Sequence, residues 1–244
     1  VPDTDQPQTN RHFVVAVDGP SGSGKSSTSR GVAQRKGFAY LDTGAMYRAA
    51  TWLVLESDLD ATDEDNAELV AKLIADADLG IGTDPAAPTF TVGGRDVTAA
   101  IREPRISAAV STVATNLRVR KLLIDRQRQI IAQAEPGIVV EGRDITTVVA
   151  PDAPVRVLLV ADPQARVARR KNELGDTVAD HEVHDQVIRR DRDDSTVAEF
   201  HAAAPGVEVI DSTDLTLEQV VDRIVALIDA KTAARTTEVG QSSS

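Results

Sequence analysis

The sequence predicts an α/β fold, a five-stranded parallel sheet flanked by helices with a small α+β block inserted into it. Three observations carry this. The apolar run Val14-Val15-Ala16-Val17 leads straight into a glycine-rich turn, Gly19-Pro20-Ser21-Gly22-Ser23-Gly24-Lys25-Ser26-Ser27, and then into helical spacing. Further strand-sized apolar runs alternate with helical segments, the pattern of parallel strands joined by right-handed crossovers. One stretch departs from it: Thr89-Phe90-Thr91-Val92 turns through Gly93-Gly94 into Arg95-Asp96-Val97, the signature of an antiparallel hairpin.

The first turn carries chemistry. Gly19, Gly24, Lys25 and Ser26 satisfy G-x-x-x-x-G-K-[ST], with a strand before and a helix after. Gly22 and Gly24 can take backbone angles closed to other residues, so successive N–H groups turn inward to cradle phosphate oxygens. The following helix adds the positive end of its dipole. Lys25 neutralises charge on the β and γ phosphates, and the Ser26 hydroxyl is placed for Mg²⁺. A chance match in a chain of this length is on the order of one in a hundred. The stretch is a phosphate site.

The remaining elements follow in order. Residues 1–11 are polar and acidic and read as a disordered leader without a signal-peptide pattern. The first helix runs from about Ser26 to Lys36 and stops at Gly37. Phe38 to Leu41 is the second strand, and it delivers Asp42-Thr43-Gly44-Ala45-Met46-Tyr47-Arg48 at its carboxyl end, where open α/β sheets bind ligands. Residues 60–106 form the inserted domain between the core segments 12–59 and 107–232. In it Thr62 and Asp65 open a helix in capping-box fashion, and Leu69, Val70, Leu73, Ile74 and Ala77 form its apolar face. Pro104 to Gln133 is largely helical, with a stripe of Ile106, Val110, Val113, Leu117, Ile124 and Ile131.

Gly137 to Val140 is the third strand, from whose end Glu141-Gly142-Arg143-Asp144 emerges. Val155 to Ala161 is the fourth. Asp162 caps the next helix and Pro163 opens it. That helix carries Arg166, Arg169 and Arg170, stops near Gly175, and begins a helical lid spanning about 166–185. The same arginine spacing also suits ordinary ion pairs on an exposed helix face. A helix holding Arg189 to Asp194 follows. Val207 to Ile210 is the fifth strand. Leu217 to Ile228 is the closing helix after a Thr216–Gln219 capping box, and 233–244 reads as a flexible tail.

Composition narrows the function. The chain of 244 residues has no cysteine, which excludes thiol catalysis and disulfides and fits a reducing cytoplasm. A formal net charge of −11 argues against general nucleic-acid binding, so any polyanion gripped here is small and held in a local basic pocket. No apolar run is long enough to span a membrane. The four histidines share no metal-ligand spacing. The expectation is a cytoplasmic monomer without membrane or nucleic-acid partners.

Together, Gly19-Pro20-Ser21-Gly22-Ser23-Gly24-Lys25-Ser26-Ser27, Leu41 to Arg48, Glu141 to Asp144, the Ser111–Arg128 segment and Asp211-Ser212-Thr213 resemble the bacterial cytidylate kinases, a P-loop kinase family, over about residues 13–230. The resemblance implies transfer of the γ-phosphoryl of ATP, with Mg²⁺, to CMP or dCMP. It implies that Gly19 to Ser27 bind ATP and that Tyr47, Arg48 and Arg143 grip the acceptor phosphate, helped by Ser21 and Thr43. Arg190 and Asp194 then hold the ribose, and Ser111, Arg120 and Asp144 read the base. Lys25, Arg143, Arg166 and Arg170 are the candidate catalytic residues. One departure stands out: Val197 occupies a position where the family usually has a phosphate-contacting arginine, with Arg192 as the nearest substitute. The alternatives are a P-loop kinase for UMP or shikimate, and a nucleotide-sensing module without turnover.

Overall fold

The computed structural model describes residues 13–174, 189, 191–198, 200 and 202–241. The leader, Arg190 and the 175–185 part of the expected lid lie outside the described residues. In chain order the strands are β1 (Phe13–Asp18), β2 (Ala39–Asp42), β3 (Leu79–Ile81), β4 (Phe90–Val92), β5 (Arg95–Asp96), β6 (Gly137–Gly142), β7 (Val155–Val160) and β8 (Glu208–Asp211). The helices are α1 (Lys25–Lys36), α2 (Thr43–Leu55), α3 (Ala67–Asp76), α4 (Pro104–Ala114), α5 (Leu117–Gln133), α6 (Pro163–Leu174) and α7 (Leu217–Gln241). The five-stranded sheet has the order β2-β6-β1-β7-β8, and all its pairings are parallel. β3, β4 and β5 form a separate antiparallel sheet.

Alternation along β1 divides the core. Val15 and Val17 face α1 and α7, where they pack with Val32, Ala33, Val221 and Ile224. Ala16 faces the other way, into a cluster with Met46, Ala50, Ile106 and Val140. Val70, Ile74, Phe90 and Val92 of the inserted block join that second cluster, so the block packs on α2 and closes one side of the sheet's carboxyl edge.

Several local expectations hold. Gly93 and Gly94 turn with φ of 56° and 78°, and β4 pairs with β5 across them. Asp162 Oδ1 accepts from Gln164 N at 2.8 Å at the start of α6. Thr216 and Gln219 exchange reciprocal bonds of 2.9 and 3.2 Å.

Others are corrected. Thr62 does not open a helix: its hydroxyl and amide both donate to Asp60, at 2.6 and 2.8 Å, and Asp63 caps a 3₁₀ turn over Glu64–Asn66 before α3 begins at Ala67. Short carboxylates here offer the backbone local partners that compete with helix. On α3 the buried face is Val70, Ala71 and Ile74, and Leu69 is left exposed. The helix expected over Pro104–Gln133 breaks at Asn116, whose Oδ1 caps α5 by accepting from Arg118 N and Val119 N at 3.0 and 3.3 Å. The break resets the helical phase. Val119, Leu123 and Gln127 become the buried stripe, and Leu117 is 72% exposed. Where a tail was expected from 233, α7 continues to Gln241, because no glycine or proline interrupts that segment before Gly240.

Candidate active site

β1 ends at Asp18, and the chain turns through the glycine-rich loop into α1. Gly19 has φ 153°, and a Cβ there would sit 2.1 Å from the Leu159 carbonyl oxygen. Gly22 has φ 74°, and its Cβ would meet the Arg166 carbonyl oxygen at 2.6 Å. The loop is therefore clamped between β7 and α6 in a path only glycine can follow. Gly24 begins α1 without a side-chain cap, so the first-turn N–H groups are left to serve an anion. Lys25 Nζ donates to Pro20 O at 2.8 Å across the loop.

A cleft of about 680 Å³ opens between this loop, α2, α4, the inserted block and the end of β6. It brings together most of the residues singled out from sequence: Ser21, Gly22, Gly24, Lys25, Ser26 and Ser27 on the loop side, and Thr43, Tyr47, Arg48, Arg120, Arg143, Asp144, Arg170 and Asp194 opposite. Gly19, Pro20 and Ser23 shape the loop from behind instead of lining the cleft. Ser111 is buried and its hydroxyl donates to Asp194 Oδ1 at 3.4 Å. Arg166 stands behind the loop, ion-paired with Asp191 and donating to Ser21 O at 3.0 Å.

The wall opposite the loop is organised from strand ends. Asp42, at the end of β2, caps α2 through Ala45 N at 2.7 Å and holds Arg48 Nη2 at 3.2 Å. Burial pulls the Arg48 guanidinium pKa down, and Asp42 opposes this. Its Nε is buried with no hydrogen-bond partner among the described residues. Arg120 and Asp144 form an ion pair on the far wall. Burial raises the Asp144 carboxyl while Arg120 opposes. Tyr47 beside them has its phenol pushed up to about 12, chiefly by burial.

Arg143 is held on three sides. Its Nη1 donates to Gly19 O at 2.6 Å, Nη2 lies 3.0 Å from Asp191 Oδ1, and Nε lies 3.0 Å from Asp194 Oδ2. The Phe200 ring covers its guanidinium plane at 4.5 Å. Val197 does line the cleft as an apolar patch, whereas Arg192 is exposed beside Asp193, away from the cleft; it does not replace the missing arginine.

Several contributors were given no role from sequence. Asp18, buried, accepts from Ile145 N and Thr146 N at 2.8 Å each and from the Thr146 hydroxyl at 2.6 Å. It thereby anchors the turn that follows Arg143 and Asp144. Arg102 reaches out of the inserted block to 3.8 Å from Asp42. Glu141, buried at the end of β6, accepts the Tyr40 hydroxyl. The first two signals were a lone acid before the loop and one arginine among many, and neither pattern is specific.

Burial, with Asp42 nearby, raises the Glu141 carboxyl pKa, while Lys25, Tyr40 and the Ser26 hydroxyl oppose. The folded state therefore keeps a proton that the unfolded chain releases above its ordinary value near 4.5. The stability this contributes is full below that pH and is lost as pH rises through the folded value. Glu141→Gln removes the titration, so the melting temperature of the parent minus that of the variant should fall as pH rises above about 4.5. Thermal melts across that range check it; a difference that grows with pH would mean the carboxylate is stabilised as an ion.

A family model described as cytidylate kinase matches residues 15–230. A cytidylate kinase of Cutibacterium acnes is 54% identical over 216 residues, covering 88% of this chain and 96% of the relative. One from Streptomyces avermitilis is 44% identical over 224 residues, covering 91% and 95%. One from Mycobacterium avium is 42% identical over 220 residues, covering 88% and 94%.

Proposed function

The chain belongs to the cytidylate kinase family, and we propose that its cleft seats the acceptor nucleotide between Arg48, Arg143 and the Arg120–Asp144 pair, facing ATP on the loop. The reaction is ATP-dependent phosphorylation of CMP. Its acceptor is already a phosphate anion, so no general base is needed, and catalysis reduces to positioning, charge neutralisation and exclusion of water. The observation that carries the residue assignment is the single cleft that brings Arg48, Arg143 and the Arg120–Asp144 pair together with the phosphate loop.

In this reading the loop amides and Lys25 hold the donor phosphates. Arg48 and Arg143, with Ser21, Thr43 and Tyr47, hold the acceptor phosphate in line with it. Asp194 and Arg190 take the ribose. Arg170 lines the cleft and shields charge on the transferring group, while Arg166 acts through the loop it braces. Mg²⁺ fits the donors present: the Ser26 hydroxyl shares the cleft with the Asp42 carboxylate. This is a sparse oxygen set suited to an ion carried mainly by nucleotide phosphates. When bound, the ion offsets the negative charge of those phosphates. CMP and dCMP are both accepted, and the enzyme acts as a monomer. Among the described residues, no helix is long and apolar enough to cross a membrane.

ADP release measured with CMP, dCMP, UMP, AMP and shikimate tests the assignment. CMP and dCMP should lead by at least tenfold in kcat/KM. A lead for UMP or shikimate would change the acceptor, and ATP binding without turnover would leave a sensing module.

Base choice has its own test. Cytosine presents an amino donor where uracil presents a carbonyl acceptor, and the Asp144 carboxylate accepts from that amine. Uracil would set two acceptors against each other in a dry pocket, a loss of roughly 1–3 kcal/mol, or one to two powers of ten in selectivity. Asp144→Asn should lower CMP turnover and narrow the CMP-to-UMP ratio of kcat/KM by about tenfold. An unchanged ratio would leave Asp144 with the role of orienting Arg120.

A further inference from the structure

We propose that Asp191 is a positioning residue for phosphoryl transfer: from behind the cleft it fixes the spacing between the phosphate loop and Arg143. The proposal rests on the kinase reading above and adds a residue to it.

Asp191 is 4% exposed and does not line the cleft, whereas Asp194, one helical turn on, does. A single oxygen, Oδ1, accepts from Ser21 N at 2.9 Å and sits 3.0 Å from Arg143 Nη2. The other oxygen pairs with Arg166, whose Nη1 also donates to Ser21 O at 3.0 Å. Both polar groups of the Ser21 main chain are thus held by the Asp191–Arg166 pair, and the same carboxylate holds Arg143. A guanidinium has five N–H donors. In Arg143 three are committed, to Gly19 O, Asp191 and Asp194, which leaves one each on Nη1 and Nη2 for a ligand phosphate. With Phe200 across its face, the direction of those two donors is set by the carboxylates.

This arrangement separates alignment from attraction. Asp191 and Asp194 balance Arg143 and Arg166 in charge. Removing the Asp191 charge leaves the cleft more positive, so CMP binding does not weaken, while the loop and Arg143 lose their common reference. Misplacement by about 1 Å at a reacting centre lowers rates on the order of a hundredfold.

The test is steady-state kinetics on the full chain. In Asp191→Asn, kcat should fall about thirtyfold or more, with KM for CMP unchanged or lower. In Asp191→Asn/Arg143→Lys, kcat should lie within about threefold of Arg143→Lys alone, because both changes break one unit. Arg166→Gln should show the same split of kcat from KM, and it stands in if the aspartate variant does not fold. The proposal is overturned if kcat for Asp191→Asn, or for the stand-in, stays within threefold of the parent. It is equally overturned if KM for CMP rises tenfold while kcat holds, or if the double-variant losses multiply. Parent turnover of the acceptor panel tests the kinase reading separately; should another acceptor prove better, the same split is read on that acceptor.

Discussion

Replacing Lys25 by alanine should lower kcat/KM for phosphoryl transfer by about three powers of ten while leaving the fold intact. Removing one preorganised charge from a water-excluded phosphate site characteristically lowers rates by about 10²–10³, and in the proposed arrangement this lysine meets the phosphates where charge builds. Three powers of ten correspond to about 4 kcal/mol of transition-state stabilisation. The fold should not depend on it, because the side chain lies at the cleft wall and not in either apolar core. The loop keeps its path through glycines 19 and 22 and through the contacts that Arg143, Arg166 and Asp191 make to it. A coupled assay for ADP release and a circular dichroism melt check the two halves. Activity within about tenfold of the parent, with a normal melt, would remove the loop from the mechanism.

Arg143→Ala should be as damaging to activity and should also destabilise the protein. The guanidinium joins two elements: the loop through Gly19 O, and the Asp191–Asp194 helical turn through both carboxylates. Its loss leaves Asp194 without this partner in a largely buried position and uncovers one face of Phe200. Leaving a buried polar group short of a partner typically costs about 1–3 kcal/mol, which lowers the melting temperature by several degrees in a chain of this size. Activity should fall by about 10³, since in the proposed arrangement the same group meets the acceptor phosphate. Arg143→Lys should recover part of the stability and little of the rate. A single ammonium on a flexible stem cannot reach Gly19 O, Asp191 and Asp194 together. The measurements are melting temperature and kcat/KM for both variants. Full rate in Arg143→Lys would show that only charge matters there, and that the fork geometry does not.

The parallel sheet and the loop were legible because their signals are local. Val14 to Val17 are apolar on both faces of a buried strand, and the spacing of Gly19, Gly24, Lys25 and Ser26 follows from how a backbone wraps phosphate. Thr43, Tyr47, Arg48, Arg143 and Asp144 were legible for a related reason. They follow the carboxyl ends of β2 and β6, in the first turns of α2 and just after β6, and strand order brings those ends to one edge. The phase of α5 was less legible: periodicity alone carried the helix through Asn116, whose capping bonds, and whose Nδ2 donation to Ala67 O at 2.9 Å, end one helix and restart another.

By itself, then, the sequence determined the α/β class, the phosphate loop, the placement of Thr43 to Arg48, Arg143 and Asp144 after strand ends, and the hairpin in the inserted block. All of these depend on residues close in the chain, where backbone sterics and side-chain period decide. Only the tertiary structure decided which arginines face the cleft and which stand behind it. Arg166 and Arg170 share one helix and one charge, yet Arg166 is buried against Asp191 and Ser21 while Arg170 lines the cleft. The structure also decided that Asp18 anchors the turn after Asp144, and that Asp191 meets Ser21 across 170 residues of chain. Such pairings are invisible to periodicity because an ion pair is set by where two side chains end in space. That position is fixed by the packing of β1, β6 and α6 around the loop and not by any spacing along the chain.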